Sequence, residues 1–238
     1  LYIGAKPKKP GLLPGTMVFT GERKVGEITL EAFRYNATEI QRFELKKPSE
    51  IPALLRDDAI LWLNVNGLHA PEIIAEIGAI FGINSLFLED ILNVGQRPKV
   101  EFGPDYLFYV QKMIRADQAE ECLNIEQISF IHGRNYLLTF QETEGDVFDS
   151  VRQRLTKNIG RIRKAGADYL AYALMDMLVD QYFVVLDNLR ELLEPLDDDA
   201  LDPSAGEDLP AAVRLRYEDG LTLEKTGQAL GVNRERVR

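Results

Sequence analysis

Two adjacent carboxylates, Glu89 and Asp90, lie within a short apolar segment of this 238-residue chain. Within the stretch Leu86–Glu101, the acids are followed by a basic loop stiffened by proline, Gln96-Arg97-Pro98-Lys99. Its apolar residues predict a helical turn anchored in a core, and Ser85 is placed to cap the start of that turn. Paired carboxylate oxygens on a rigid support suit Mg²⁺ or Ca²⁺ better than zinc. The alternative is an ordinary acid pair at a helix start, favoured by the helix dipole.

A second acidic surface is predicted on the longest periodic segment, a helix from Asp168 to about Leu196. At 3.6 residues per turn, five acids fall within about 60° of one another, namely Asp176, Asp180, Asp187, Glu191 and Glu194. Like charges this close destabilise a helix. The stripe therefore indicates a surface that gathers cations or meets a partner through them, unless it is simply a water-facing edge.

Charge and composition narrow the functional classes. The net charge is −10, and residues 165–208 hold twelve acids and one base, so the remainder is close to neutral. This distribution argues against a nucleic-acid surface over most of the chain. One cysteine excludes an internal disulfide, and two histidines with no zinc spacing exclude a histidine-rich metal site. We find no Ser–His or Cys–His arrangement and no phosphate-binding glycine loop, so we expect no enzyme.

The elements that must position these acids alternate between strands and helices. Ala59–Val65 is apolar on both faces, which predicts a central strand. Pro71 starts a helix that Gly82 ends. A further helix is expected over Asp146–Lys164, with a solvated basic side. Other strands are predicted at Glu27–Tyr35, Val100–Phe102, Tyr106–Arg115, Ile125–His132 and Tyr136–Gln141, whereas Ala37–Leu45 is ambiguous.

No membrane or export segment is expected from the sequence. The longest uninterrupted apolar runs are far shorter than the roughly 18 residues that span a bilayer. The first residues contain lysines but no apolar stretch typical of a signal peptide.

The sequence resembles the N-terminal cytoplasmic domain of the CorA magnesium/cobalt channels over residues 11–196. The motifs that carry this resemblance are Leu-Glu-Asp-Ile-Leu-Asn with Gln-Arg-Pro-Lys-Val-Glu (within 86–101), Asn-Val-Asn-Gly-Leu-His (64–69), Ile-Gly-Ala-Ile-Phe-Gly-Ile (77–83), Asp-Val-Phe-Asp-Ser-Val-Arg (146–152) and the start of the acidic helix (167–183). They occur in the same order as in that family.

The resemblance implies an α/β/α sandwich with a mixed central sheet, followed by a long acidic helix and a short helical C-terminal segment. It further implies a homopentamer in a full-length parent, with Mg²⁺ or Co²⁺ weakly bound between neighbouring copies as a regulatory ion. The family's metal sites fall on Glu89, Asp90 and Asp176, and Asp180 shares the same helix face. These positions sense the cation and are not catalytic.

The family's long stalk helix, membrane helices and Gly-Met-Asn pore signature are not found in this sequence. We therefore expect a cytoplasmic chain that does not conduct ions itself, associates weakly and reaches the membrane only through a longer parent.

Residues 209–238 follow an acidic linker, 197–208, and resemble the promoter-reading end of bacterial primary sigma factors. Thr222 and Asn233 can each cap a helix, and Gly231 suits the turn between them. The recognition helix is incomplete, and the segment holds six bases and four acids, so we expect no specific nucleic-acid binding. The sequence thus predicts an arm (1–10), a cation-sensing domain (11–196), a linker and this segment. The alternative function is a metal-responsive DNA-binding regulator.

Overall fold

The computed structural model describes residues 11, 13–117, 122–201 and 225. The chain divides into two compact units, Leu1–Val185 and Leu186–Arg238. The predicted arm 1–10, residues 202–208 of the predicted linker and the C-terminal segment 209–238 lie outside the described residues, except for Lys225, which is helical.

Seven strands and four α-helices make up most of the regular structure in the described ranges. The strands are β1 (Thr29–Tyr35), β2 (Ile40–Leu45), β3 (Ile60–Asn66), β4 (Lys99–Phe102), β5 (Tyr106–Asp117), β6 (Cys122–Gly133) and β7 (Tyr136–Gln141). The helices are α1 (Pro71–Phe81), α2 (Ser85–Leu92), α3 (Asp149–Thr156) and α4 (Ala167–Leu201), with a short 3₁₀ helix at Pro48–Leu54. The segment left ambiguous by its sequence is therefore a strand, β2.

The seven strands form one mixed sheet in the order β2-β1-β3-β7-β6-β5-β4. β3 and β7 run parallel, and every other neighbouring pair is antiparallel. β3 lies inside the sheet, between β1 and β7, and the Trp62 side chain is fully buried. The central position predicted for Ala59–Val65 is confirmed, because only a strand covered on both faces can bury apolar residues in both directions.

The sheet separates two hydrophobic cores. One face is covered by α1 and α2, which contribute Ile74, Ile77, Phe87, Leu88, Ile91 and Leu92. The other face is covered by α3 and α4, which contribute Val151, Leu155, Leu170, Leu174 and Leu178. The architecture is therefore the α/β/α sandwich that the family resemblance implies.

The helix predicted over Asp146–Lys164 is shorter than expected. α3 covers only Asp149–Thr156, and Asn158 (φ 54°) and Gly160 (φ 72°) then adopt left-handed backbone, which ends a helix. Ile159, which follows α3, is 52% exposed.

The prediction that the basic side of this helix faces solvent is wrong for Arg152. Its two terminal nitrogens donate to both oxygens of Asp146, at 2.5 and 2.6 Å, and the Asp146 side chain is only 2% exposed. The same guanidinium binds Glu31 and lies 5.1 Å from the centre of the Trp62 ring. Arg152 therefore ties α3 to the sheet.

α4 contains few charged residues over a long stretch, although its uninterrupted apolar runs are short. By length and composition alone, Ala167–Glu191 could cross a membrane. In the structure Leu170, Leu174 and Leu178 of this helix pack on the sheet, as the core helix of an α/β domain does. The helix continues to Leu201, so residues 197–201, expected to belong to a linker, are helical.

Candidate metal centre

Helix α2 carries Glu89 and Asp90 and is fixed by burial of its other face. Phe87, Leu88, Ile91 and Leu92 are buried, whereas Leu86, also expected in the core, is 49% exposed. The cap is Asn84, whose side-chain oxygen accepts from the Leu86 N–H at 2.9 Å, so the capping role expected for Ser85 is wrong. Ser85 is instead the first helical residue.

The approach of α1 to α2 is close, which fixes the position of the acids further. A Cβ on Gly78 of α1 would lie 2.4 Å from a methyl group of Leu88 of α2. A side chain at Gly78 would therefore force Leu88 or the two helices to shift. Gly82 ends α1 with a left-handed φ of 63°, as its position in the sequence predicts.

The carboxylate of Asp90 is already partnered within the chain. Lys99 Nζ lies 2.6 Å from one oxygen, and Gln96 Nε2 donates to the other at 2.5 Å. Gln127 Nε2 donates to the main-chain oxygen of Asp90 at 3.3 Å. Burial alone would lower the pKa of Lys99, but its hydrogen bonds to Asp90 and Glu101 raise that pKa above the usual value. Lys99 therefore stays positively charged and forms an ion pair with Asp90.

Glu89 is held by the segment that precedes the sheet. Its carboxylate accepts a hydrogen bond from the Gly15 N–H. Gly15 has a φ of 80° and packs on Ser85, where a Cβ would lie 2.7 Å from the hydroxyl oxygen. Further along this segment, the Thr20 N–H donates to the Leu92 carbonyl at 3.1 Å. The segment around 15–20 thus runs along α2 and holds the Glu89 carboxylate.

The acids predicted on α4 are exposed. Asp176 and Asp180 are one helical turn apart, and the described part of the chain provides neither with an ion-pair or hydrogen-bonding partner. Asp187, Glu191 and Glu194 are exposed as well. Since like charges at i and i+4 repel, this face is one where a cation would be stabilising.

The two predicted pairs of carboxylates lie in different layers of the domain. α2 packs on one face of the sheet and α4 on the other. Among the described residues, no group of three or more Asp, Glu, His or Cys side chains is close enough to hold a metal ion. A single copy therefore does not gather Glu89, Asp90, Asp176 and Asp180 into one cluster.

Lys112 of β5 nevertheless contacts both elements, one from each face of the sheet. Its Nζ donates to the carbonyl of Val94 at 3.1 Å, in the loop that follows α2. Its own carbonyl accepts from the hydroxyl of Tyr182 on α4. Sequence reasoning missed Gln127, Lys112 and Tyr182, because polar residues on a strand or an amphipathic helix carry no signal of a long-range partner.

Comparison with known proteins settles the family of this chain. Residues 57–224 match the family described as CorA-like Mg²⁺ transporter protein. The chain belongs to this family. Residues 211–238 also match sigma-70 region 4.

Curated relatives of this CorA-family chain are named as transporters. The cobalt/magnesium transport protein CorA of Thermotoga maritima is 42% identical over 194 residues, covering 82% of this chain and 55% of the relative. The putative metal ion transporter YfjQ of Bacillus subtilis is 28% identical over 142 residues, covering 60% of this chain and 43% of the relative. The chain thus spans about half the length of the curated relatives it matches.

Solved structures support the same fold. Full-length CmaX superposes with a TM-score of 0.61 at 16% identity, covering 77% of this chain and 54% of CmaX. The soluble domain of CorA from Methanocaldococcus jannaschii superposes with a TM-score of 0.55 at 18% identity, covering 78% of this chain and 70% of that domain. The mixed seven-stranded sheet and its helices match the fold of that soluble domain.

Proposed function

We propose that this CorA-family chain is the cytoplasmic cation-sensing domain of a magnesium or cobalt transporter, and that it does not itself form the pore. The observation that carries the proposal is the exposed pair Asp176 and Asp180, which has no basic partner in the described part of the chain. A hard divalent cation relieves the repulsion between such carboxylates through oxygen ligands and retained waters.

The layer arrangement favours a site shared between neighbouring copies. Within one copy, Glu89 and Asp90 lie on α2 and the α4 acids lie on the opposite face of the sheet. A second copy that places its α4 beside α2 of the first would bring both sets of carboxylates together. In this proposal the regulatory ion, Mg²⁺ or Co²⁺, stabilises that contact, and the copies assemble as a pentamer in a full-length parent.

Lys99 sets the expected affinity. It already neutralises Asp90 at 2.6 Å, so an incoming cation must compete with an ammonium or bind through water. We expect a dissociation constant nearer millimolar than micromolar. A ligand at ten times its dissociation constant stabilises the folded state by about 1.4 kcal/mol, which raises the melting temperature by roughly 3–6 °C in a chain of this size.

The experiment is thermal melting during Mg²⁺ and Co²⁺ titrations at constant ionic strength, with NaCl as the screening control. Asp176→Asn and Asp90→Asn should each reduce the rise in melting temperature. Glu76→Gln, which removes an exposed acid from α1, should leave the rise unchanged. If wild type and all three variants show the same response, the acids are only a solvated surface and the sensing role belongs elsewhere.

The alternative function, a metal-responsive DNA-binding regulator, is supported only by the sigma-70 region 4 match over residues 211–238. That segment lies outside the described residues apart from Lys225. We favour the transporter domain, because the CorA match covers 57–224 and the chain as a whole is acidic.

A further inference from the structure

The ammonium group of Lys99 lies between two carboxylates. Its Nζ is 2.6 Å from an oxygen of Asp90 on α2 and 2.7 Å from an oxygen of Glu101, which follows two residues later on β4. Residues two apart on a strand project from the same face, so Lys99 and Glu101 both lie on the side of the sheet that α2 covers. A single positive charge is thus shared between a carboxylate of the helix and a carboxylate of the strand.

The two oxygens of the Asp90 carboxylate have different partners. Gln96 Nε2 donates to one of them at 2.5 Å and also to the main-chain oxygen of Asp90 at 3.1 Å, whereas Lys99 holds the other. A cation that displaces the ammonium therefore gains one carboxylate oxygen, while Gln96 continues to orient the group. Binding through few carboxylate oxygens and several retained waters is common for Mg²⁺.

The shared ion pair is partly open to solvent. The exposed fractions of the side chains are 29% for Lys99, 23% for Asp90 and 44% for Glu101. A hydrated cation can therefore approach Asp90, and the ammonium can leave it, without opening the hydrophobic core. The same exposure keeps the ion pair weak, because water screens charges near the surface.

The strand retains the ammonium when it leaves Asp90. Glu101 is already in contact with Lys99, and the ring of Phe108, opposite Glu101 on β5, has its centre 5.7 Å from the same Nζ. The negative face of an aromatic ring attracts a cation at this distance. Lys99 can therefore give up Asp90 without losing its other partners.

We propose that Lys99 is a tethered competitor that keeps monovalent cations off Asp90, and that Glu101 takes up the ammonium when a divalent cation binds. This competition rests on the cation site proposed above and gives that site its selectivity. Na⁺ and K⁺ carry the same charge as the ammonium, but the side chain holds the ammonium at a high local concentration. A divalent cation attracts the carboxylate about twice as strongly at the same distance, so it can displace the ammonium.

An NMR titration of the full chain tests the competition, because amide shifts report both binding at each residue and the fold of each variant. In wild type, Mg²⁺ should shift the amides of Asp90 and Glu101 with a common midpoint near 1 mM, that is, about the weak affinity expected above. Exchange of tetramethylammonium chloride for KCl at constant ionic strength should shift neither amide.

Lys99→Met should change both results. The Mg²⁺ midpoint should fall about five-fold, the factor that corresponds to loss of one partly exposed ion pair. The exchange to KCl should now shift the Asp90 amide, since no ammonium excludes K⁺. Lys157→Met removes the same charge from an exposed lysine at the end of α3, in the opposite layer, and should behave like wild type.

A double-mutant cycle separates the role of Glu101 from general electrostatics. Glu101→Gln should raise the Mg²⁺ midpoint about three-fold when Lys99 is present and leave it unchanged in Lys99→Met, because Glu101 acts by holding the ammonium. Equal effects in both backgrounds would show that Glu101 does not act through Lys99.

Two further outcomes distinguish this proposal from the cation site on which it rests. If wild type and Lys99→Met bind Mg²⁺ with the same midpoint, or if K⁺ leaves Asp90 of Lys99→Met unaffected, Lys99 is not a competitor and the cation site stands. If neither wild type nor Lys99→Met responds to Mg²⁺, the cation site is refuted and the competition with it.

Discussion

Tyr182 of α4 donates its hydroxyl hydrogen bond to the main-chain carbonyl of Lys112, across the open end of strand β5. The ammonium group of Lys112 reaches the opposite layer, where it donates to Val94 after α2. One strand residue is therefore in contact with the helix that bears Asp176 and Asp180 and with the loop that follows Asp90. This junction therefore links the two acidic elements through one residue of the sheet.

Removing the Tyr182 hydroxyl should destabilise the domain modestly. Tyr182→Phe leaves a strand carbonyl without its partner, and we expect the free energy of unfolding to fall by about 1 kcal/mol. Urea denaturation followed by circular dichroism measures the change. Tyr172→Phe, at a 55% exposed position on the same helix, should change stability by less than about 0.5 kcal/mol. Equal effects of both substitutions would show that the hydrogen bond contributes nothing.

Stability should rise with pH above 8 because of Lys112. Burial lowers the pKa of Lys112 to about 8, Glu142 opposes this shift and Lys24 adds to it. The unfolded lysine has a pKa near 10.4, so between about pH 8 and 10 the unfolded state binds more protons and the free energy of unfolding increases with pH. Below pH 8 the ammonium is present in both states and the full cost of its burial remains.

The measurement is urea denaturation from pH 7 to 10. In Lys112→Met, the increase in the free energy of unfolding that is due to Lys112 should vanish. Lys47 is an exposed lysine, so Lys47→Met should show the same pH dependence as wild type. Above pH 10 the trend should reverse, because burial raises the pKa of Tyr35 and of Tyr109 and disfavours their ionised forms in the folded state. A wild-type profile with the same slope as that of Lys112→Met would contradict the assignment.

Breaking the Arg152–Asp146 pair should be costly. Arg152→Ala leaves a carboxylate that is 2% exposed without its bidentate partner, and we expect a loss of about 3 kcal/mol or more. Arg134→Ala, at an exposed arginine, should lie within about 0.5 kcal/mol of wild type. The double variant Arg152→Ala with Asp146→Asn should lose less than the sum of the single losses, since both remove the same interaction. Additive losses would show that the pair is not coupled.

Specific DNA binding is not expected from this chain. Specific readers bind at about 10⁻⁸–10⁻¹¹ M, and their affinity depends on a clear excess of basic residues. Here residues 209–238 carry six bases and four acids on a chain of net charge −10. A gel shift with a −35 promoter element should show no complex that survives competitor DNA at about 1 μM protein. A competitor-resistant band would favour the regulator alternative.

Secondary structure was predictable where the local sequence pattern matches the burial of the side chains in the fold. The two-sided apolar strand β3, the helix between Pro71 and Gly82 and the β6–β7 hairpin all follow from periodicity and turn residues. The early end of α3 was not predictable, because Asn158 adopts its left-handed φ of 54° without being a glycine.

The candidate site was predictable only in part. Glu89 and Asp90 stand out because acids interrupt an apolar turn, and α4 shows its stripe because helical periodicity is regular. The engagement of Asp90 by Gln96 and Lys99 depends on the bend of the intervening loop, which no periodicity encodes. For the same reason the opposite-layer placement of the two acid pairs requires the three-dimensional fold.

The sheet order carries a consequence for how the chain reaches this fold. β7 lies between β3 and β6, so the parallel pair joins residues such as Leu63 and Leu138 that are far apart in sequence. Local hairpins such as β1–β2 and β5–β6 can form early, but the long closure between β3 and β7 comes at a high entropic cost. During synthesis, the edge of the apolar strand β3 therefore stays unpaired on the side away from β1 until β7 has left the ribosome. Substitutions in β7 should slow folding more than equally destabilising ones in α4.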